Sequence, residues 1–194
     1  MKWIGQQIYD QVSRFKNDVF FENPVSLTSS LTVDSSLTVS GSTFFTGNTS
    51  ARPAVEIKNT GANALGGSLS FKLDKGVVGA DEDIPGVIYW QSDNDAQQQI
   101  TFGRLYTQVA DATDGQEAGN MVFQVAEFDG TLTAGLTLNG DTNANGEIDV
   151  SIGSGAGSTT TIVSGVVMMS NLPTSDPSNP GQLWNNGGTL KISQ

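Results

Sequence analysis

Apolar and polar residues alternate in two different patterns along the chain. The more regular pattern lies between Ser26 and Gly47. A six-residue repeat based on Ser-Leu-Thr-Val returns apolar side chains at fixed offsets: Leu31, Val33, Leu37, Val39 and Phe45. Such alternation predicts thin strands, each with one narrow apolar edge. Repeats of this kind gain stability by stacking on neighbours rather than by folding alone. We therefore predict a β shaft over residues 25–53, in which copies of the same chain cover one another.

Residues 54–140 show the second pattern. Their alternating segments are longer and are separated by turn signals such as Asp114-Gly115 and Asp129-Gly130. Alternating segments bounded by Asp-Gly or Asn-Gly pairs are typical of antiparallel strands joined by tight turns. We predict a β-sandwich-like globular domain here, with about seven strands. Most of the aromatic residues beyond the N-terminus lie in this segment.

Residues 141–194 return to thin β sequence. Ile148, Val150 and Ile152 alternate with polar residues, and the last part of the chain predicts a loop followed by a hairpin that turns at Asn186-Gly187. We treat this part as a C-terminal β region. The Gly/Ser stretch at 153–158 fits either a flexible linker or a tight turn within a fibre.

The N-terminal segment, residues 1–24, shows the one helical pattern. Apolar residues recur there at spacings of three and four, next to a tryptophan: Trp3, Ile4, Ile8, Val12 and Phe15. The pattern predicts a short helix over residues 1–16 with an apolar face that needs a cover. Two interpretations remain for what buries this apolar face. It packs on a domain or helical bundle of the protein itself, or it docks as an anchor into a larger assembly.

Composition narrows the classes of partner. The 194 residues include 9 Lys plus Arg against 20 Asp plus Glu, a formal net charge of −11. This excess of negative charge disfavours nucleic acid and anionic membrane surfaces as partners. Cysteine is absent, so no disulfide framework forms, and no apolar run is long enough to insert into a membrane. Oligomerisation is one remaining source of stability.

The residue types also limit the chemistry. Histidine is absent, which removes Ser-His-Asp catalysis and the commonest metal ligand. A glycosidase would need a pair of carboxylates, and the acidic runs Asp81–Asp83 and Asp111–Glu117 are the candidates. Both runs lie in predicted turns, where Asp is favoured for local hydrogen bonds. We therefore predict no catalytic residues, no cofactor and no enzyme activity.

One segment resembles a calcium-binding loop. Asp141 to Asp149 has oxygen-bearing side chains at positions 1, 3, 5 and 9 and glycine at position 6. Position 12 is Ile152 instead of the acidic residue that such loops require. An Asn-rich turn between strands produces the same pattern, and we predict no metal site.

Aromatic side chains supply the candidates for glycan recognition, because sugars stack on aromatic planes with polar neighbours. Tyr89 and Trp90 are adjacent on one strand and must point to opposite faces. Trp90 and Trp184 are our candidate glycan contacts. For both of them, burial inside an oligomer is the competing interpretation.

Several segments resemble known virion proteins. Residues 54–59, 67–71 and 109–123 resemble a β-rich trimeric module of tailed-phage fibre and spike proteins. The ending at 172–192, with its Pro-Thr-Ser-Asp-Pro and Gly-Gln-Leu-Trp-Asn-Asn-Gly cores, is similar to that of marine phage appendage proteins. The opening residues 1–19 resemble the start of virion proteins from cyanophage-like viruses.

The resemblance implies an all-β, elongated homotrimeric fibre, made in the host cytoplasm and built into the virion. The N-terminus would bind other virion proteins, either a tail adaptor or the capsid, and the β domain would face host-surface glycans for attachment. Two alternatives stay open. One is a capsid decoration or head-fibre protein, and the other is a tailspike that degrades polysaccharide.

Overall fold

The computed structural model describes residues 19, 21–27, 30–50, 52–62 and 64–194. The chain divides into two units, Met1–Ala62 and Asn63–Gln194. The described residues contain strands and turns but no helix. The predicted helix, with Trp3, Ile4, Ile8, Val12 and Phe15, lies outside the described residues. No helix that could cross a bilayer is found where the structure describes the chain.

The second unit is built around a five-stranded antiparallel sheet in which each strand pairs with the next one along the chain. The strands are β1 Gly86–Asp93, β2 Gln99–Asp111, β3 Ala118–Ala126, β4 Leu132–Gly140 and β5 Ile148–Ile152. Alternating β-branched and aromatic residues favour these extended segments. The all-β prediction is confirmed for the described residues.

Glycines at the predicted turns allow the sheet to fold back on itself. Gly115 lies between β2 and β3 with φ +81°, and Gly130 lies between β3 and β4 with φ +82°. A side chain at such a positive φ would be strained, which is why the Asp-Gly signal located both turns. The Asn139-Gly140 pair behaves differently, because it forms the end of β4.

The C-terminal residues form a separate two-stranded hairpin, β6 Leu183–Asn186 and β7 Thr189–Ile192. Gly187 and Gly188 connect the strands with φ +57° and +94°, values that suit a tight type I′ turn. The predicted hairpin is confirmed, and its turn lies one residue further along than Asn186-Gly187.

Fewer strands form than the alternation predicts. Residues 54–140 hold four strands instead of about seven, and neither 54–62 nor 64–85 contains a strand. Those segments alternate, but a strand also needs a partner for its backbone hydrogen bonds. The five-stranded sheet is a single layer among the described residues, so the second sheet of a sandwich is not part of one chain's fold there.

In the first unit, the described residues form turns and bends, with no strand assigned among them. The five shaft residues, Leu31, Val33, Leu37, Val39 and Phe45, are all exposed, between 42% for Val33 and 66% for Leu37. Shaft strands that pair between copies of the chain show no pairing in a single copy. The β shaft, like the domain boundaries, therefore stays a prediction.

Candidate functional site

The five-stranded sheet has one face that is almost entirely apolar. Residues directly opposite each other on paired strands share a face. The registers place Ile88, Leu105, Phe123, Leu136 and Ile152 in one row across all five strands. Neighbouring rows add further apolar side chains, and we call the whole set the apolar face: Ile88, Trp90, Leu105, Val109, Met121, Phe123, Val125, Leu136, Leu138, Ile148, Val150 and Ile152.

Along the central strand β3, this apolar face is more exposed than the opposite face. Along β3, Met121, Phe123 and Val125 are 38%, 39% and 60% exposed, whereas Val122 between them is 6% exposed. Val122 is the one apolar side chain that counts as buried among the described residues. Soluble sheets normally bury the apolar face and expose the polar one. Among the described residues, the side of the sheet whose apolar side chains could form a core is therefore left exposed.

The opposite face, which we call the polar face, is closed by its own side chains. Its central row runs through Val87, Tyr106, Val122 and Thr137. The Arg104 guanidinium lies 4.4 Å from the centre of the Tyr106 ring, and Arg104 Nε donates to Gln124 Oε1 at 2.9 Å. These contacts explain why a polar surface can hold the most buried apolar residue.

Phe71, from the segment that precedes β1, covers one end of the apolar face. The Phe71 side chain lies against Gly86, where an added Cβ would come within 2.4 Å of Phe71 Cβ. Beyond it, a cavity of about 500 Å³ remains open on the same face. Its lining includes Pro85, Thr107, Val109, Met121, Leu138 and Ile148. Among the described residues, most side chains of the apolar face stay exposed.

Charge is absent from the apolar face. The rows that cross it, from the pair Trp90–Gly103 to the pair Val109–Gly119, contain only apolar residues, glycine and threonine. The chain as a whole carries a net charge of −11. The face is thus a neutral surface on an acidic protein. A negatively charged partner can approach it without charge repulsion at the contact.

The two candidate glycan contacts lie in different surroundings. Trp90 belongs to the apolar face and packs over Gly103, where an added Cβ would lie 3.7 Å from Trp90 Cε3. Trp184 lies on β6 opposite Lys191, and its Nε1 is buried without a hydrogen-bond partner in the part of the chain that the structure describes. The structure does not bring the two together into one site among the described strands.

Phe128 is an exposed aromatic residue that the sequence analysis did not single out. It lies at the tip of the β3–β4 turn, fully exposed between Glu127 and Asp129. Its neighbouring turn signal, Asp129-Gly130, was the available clue, because residues beside a tight turn project into solvent. The ring offers a second plane on which a sugar could stack.

The acidic runs are used in local structure. Asp83 pairs with Lys75 Nζ at 2.9 and 2.8 Å, and this hydrogen bond holds the pKa of Asp83 below its ordinary value. Asp81 Oδ1 accepts the Ala112 N–H at 2.8 Å. Backbone N–H donors lower the pKa of Asp111 and of Glu117. A glycosidase acid needs a raised pKa, which is the opposite shift.

The calcium-like loop is folded as a turn. Asp141 Oδ1 accepts the backbone N–H groups of Asn143 and, at 2.9 Å, of Ala144. Gly146 has φ +83°, so the glycine serves the backbone of the turn. Within the described residues, no group of three or more His, Cys, Asp or Glu side chains is placed to hold a metal ion.

A carboxylate, together with backbone hydrogen bonds, joins the C-terminal hairpin to the loop before it. Ser193, which is 2% exposed, donates through its hydroxyl to Asp176 Oδ1 at 2.6 Å, and the Ser178 N–H donates to the same oxygen at 3.0 Å. The Ser193 hydrogen bond is the larger cause of the lowered pKa of Asp176, followed by that from Ser178. The loop before β6 and the residues after β7 are thereby joined.

This contact predicts a pH-dependent hairpin. Because the pKa of Asp176 is lower in the folded protein, its stabilising effect is present above the ordinary Asp pKa of about 3.9 and is lost as the pH falls below that value. We expect Asp176→Asn to loosen residues 183–192 at pH 7 and to differ less from the unchanged protein at about pH 3, because the Asp176 charge stabilises less below the ordinary Asp pKa. Nuclear magnetic resonance of the hairpin amides measures this. Ser175→Ala serves as the control, and a loss that is equal at both pH values would contradict the role of the Asp176 charge.

Comparison with known proteins adds no relative: no family model, no curated protein and no solved structure matches the chain.

Proposed function

We propose that this chain is a structural virion fibre or appendage protein of a tailed phage, acting as a homotrimer. In this proposal the N-terminal segment, with Trp3, Ile4, Ile8, Val12 and Phe15, anchors the protein to a tail adaptor or to the capsid. The β domain faces outward and attaches to host-surface glycan. The protein works in the virion and is made in the host cytoplasm.

The observation that carries the proposal is the exposure of apolar side chains that alternate with polar ones along the sequence. Leu31, Val33 and Phe45 are exposed, as are most residues of the apolar face. Soluble monomers rarely leave so much contiguous apolar surface open to water. An oligomer of identical chains covers every one of these surfaces at once, because each copy supplies the same partner surface.

Resemblance supplies the assignment to a phage. The segments at 1–19, 54–59, 67–71, 109–123 and 172–192 resemble virion fibre modules in the order in which a fibre would carry them. The physical observations support self-assembly, and the resemblance supports the virion as its place. The same observations fit a capsid head fibre, which differs in its attachment point.

Trp184 is the glycan contact that we favour. It lies in a hairpin rich in amide side chains, where Asn185 Oδ1 accepts the Gly188 N–H at 2.7 Å. Sugar hydroxyls need such polar neighbours beside the aromatic plane. Trp90 has apolar neighbours on its face, which suits burial between copies better than sugar binding.

The first test is the molar mass and shape of the purified protein. We expect light scattering to give about three times 20.3 kDa, and small-angle X-ray scattering to give an elongated particle. A monomer of compact shape would overturn the proposal. Binding to host-surface polysaccharide, lost on Trp184→Ala and kept on Trp3→Ala, tests the attachment role separately.

A further inference from the structure

We infer that the apolar face of the five-stranded sheet packs against the same face of other copies of this chain, around the axis of the homotrimer. The inference rests on the homo-oligomer of the proposed function and adds the surface that forms it. The repeat predicts one contact between copies, in the shaft. The sheet supplies a second and broader contact.

The size of the exposed apolar surface fits a stable interface. Eight side chains of the apolar face are more than one-third exposed: Ile88, Trp90, Met121, Phe123, Val125, Ile148, Val150 and Ile152. With ordinary side-chain areas, these fractions amount to roughly 800 Å² per copy. A stable protein interface buries about 800 Å² on each partner. The face therefore has the area that a second copy needs.

The sheet's lack of its own core points to a permanent partner. Val122 is the one buried apolar residue that the described residues contain, and it lies on the polar face. A sheet that depends on its partner for a core needs that partner whenever the chain is folded. Another copy of the same chain meets this condition, because it is made in the same place and amount. A host receptor, met only on attachment, does not.

The charge distribution of the chain also favours another copy as the partner of the apolar face. Copies that each carry a net charge of −11 repel one another over most of their surfaces. The rows from Trp90–Gly103 to Val109–Gly119 hold no charged residue. Neutral faces can meet without desolvating a carboxylate, whose burial is costly when it is unpaired. The second layer that a sandwich requires is then supplied by another chain.

The edge strand β5 offers a clean test. Val150 lies on the apolar face and is 56% exposed in the single sheet, and its neighbour Ser151 lies on the polar face. A carboxylate at either position is tolerated in an isolated chain, because both side chains reach solvent there. We expect Val150→Asp to dissociate the trimer or to lower its melting temperature sharply, and Ser151→Asp to leave both unchanged.

A second measurement does not depend on the stability of a variant. The chain contains no cysteine, so Val150→Cys and Ser151→Cys each introduce a single thiol. In the assembled protein we expect maleimide to react with Cys at 150 on the order of ten times more slowly than with Cys at 151, because a covered thiol is inaccessible. Equal rates in a trimer would overturn the inference and leave the fibre proposal standing.

The remaining outcomes separate the two proposals. A dimer in which the thiol at 150 is protected would support the contact between apolar faces, but it would overturn both its three-fold arrangement and the trimeric fibre. A monomer in which that thiol is protected would mean that a segment of the same chain covers the face, which overturns the inference. A monomer with equal labelling at both positions would overturn both proposals.

Discussion

The double substitution Val33→Asp and Val39→Asp is expected to open the shaft of the trimer. On the proposed three-fold contact, each copy would place two carboxylates against apolar neighbours, without a cation to pair them. Burying an unpaired charge costs several kcal/mol. Three copies multiply that cost to roughly the whole stability of a domain, about 5–15 kcal/mol. Limited proteolysis should then cleave within residues 25–53, and the melting temperature should fall.

Thr32→Asp together with Thr38→Asp is the matched control. These residues alternate with Val33 and Val39, and Asp34 shows that the same side of the repeat already carries a carboxylate. The control adds the same charge next to the same positions. If both double variants resist proteases and melt like the unchanged trimer, the shaft does not run along these residues.

Removing residues 1–17 is expected to abolish incorporation into virions while leaving a soluble trimer. The deleted segment holds the proposed anchor residues, including Ile4, Ile8 and Val12. The surfaces proposed to join the copies lie in the shaft and the sheet, so they remain. Co-sedimentation of the protein with purified particles measures incorporation, and light scattering measures the trimer.

A narrower variant separates the anchor from simple shortening of the chain. Ile8→Ser with Val12→Ser removes apolar residues of the predicted helix, whereas Gln7→Ser with Gln11→Ser changes the polar residue that precedes each of them. We expect the first pair to reduce incorporation and the second to leave it intact. Loss of the trimer in the deletion variant would mean that residues 1–17 hold the copies together, which contradicts their role as an anchor.

Local features of the fold were predictable where they depend on near neighbours in the sequence. The turns at Gly115 and Gly130 and the terminal hairpin follow from glycine's freedom at positive φ next to alternating segments. The strands between them follow from the alternation itself. Neither inference needs knowledge of distant residues, and both are confirmed.

The candidate site was less predictable. Leu105, Phe123 and Leu136 lie in the segment that was predicted to form strands, but their common row with Ile88 and Ile152 depends on the pairing register. Irregularities in that register, such as the shift between Phe123 and Gln124, decide which residues lie opposite each other. A single sequence carries no direct signal for such shifts.

The sequence by itself determined that this protein is built from strands and tight turns, because alternation and glycine act over a few residues. Only the tertiary structure decided how many strands find partners and which face stays uncovered. Residues 64–85 alternate without forming a strand, although Glu82 and Asp83 exchange backbone hydrogen bonds with Val109. The polar face, rather than the apolar one, holds buried Val122. Alternation in the sequence shows only which residues share a face of a strand. Whether that face is buried depends on what packs against it.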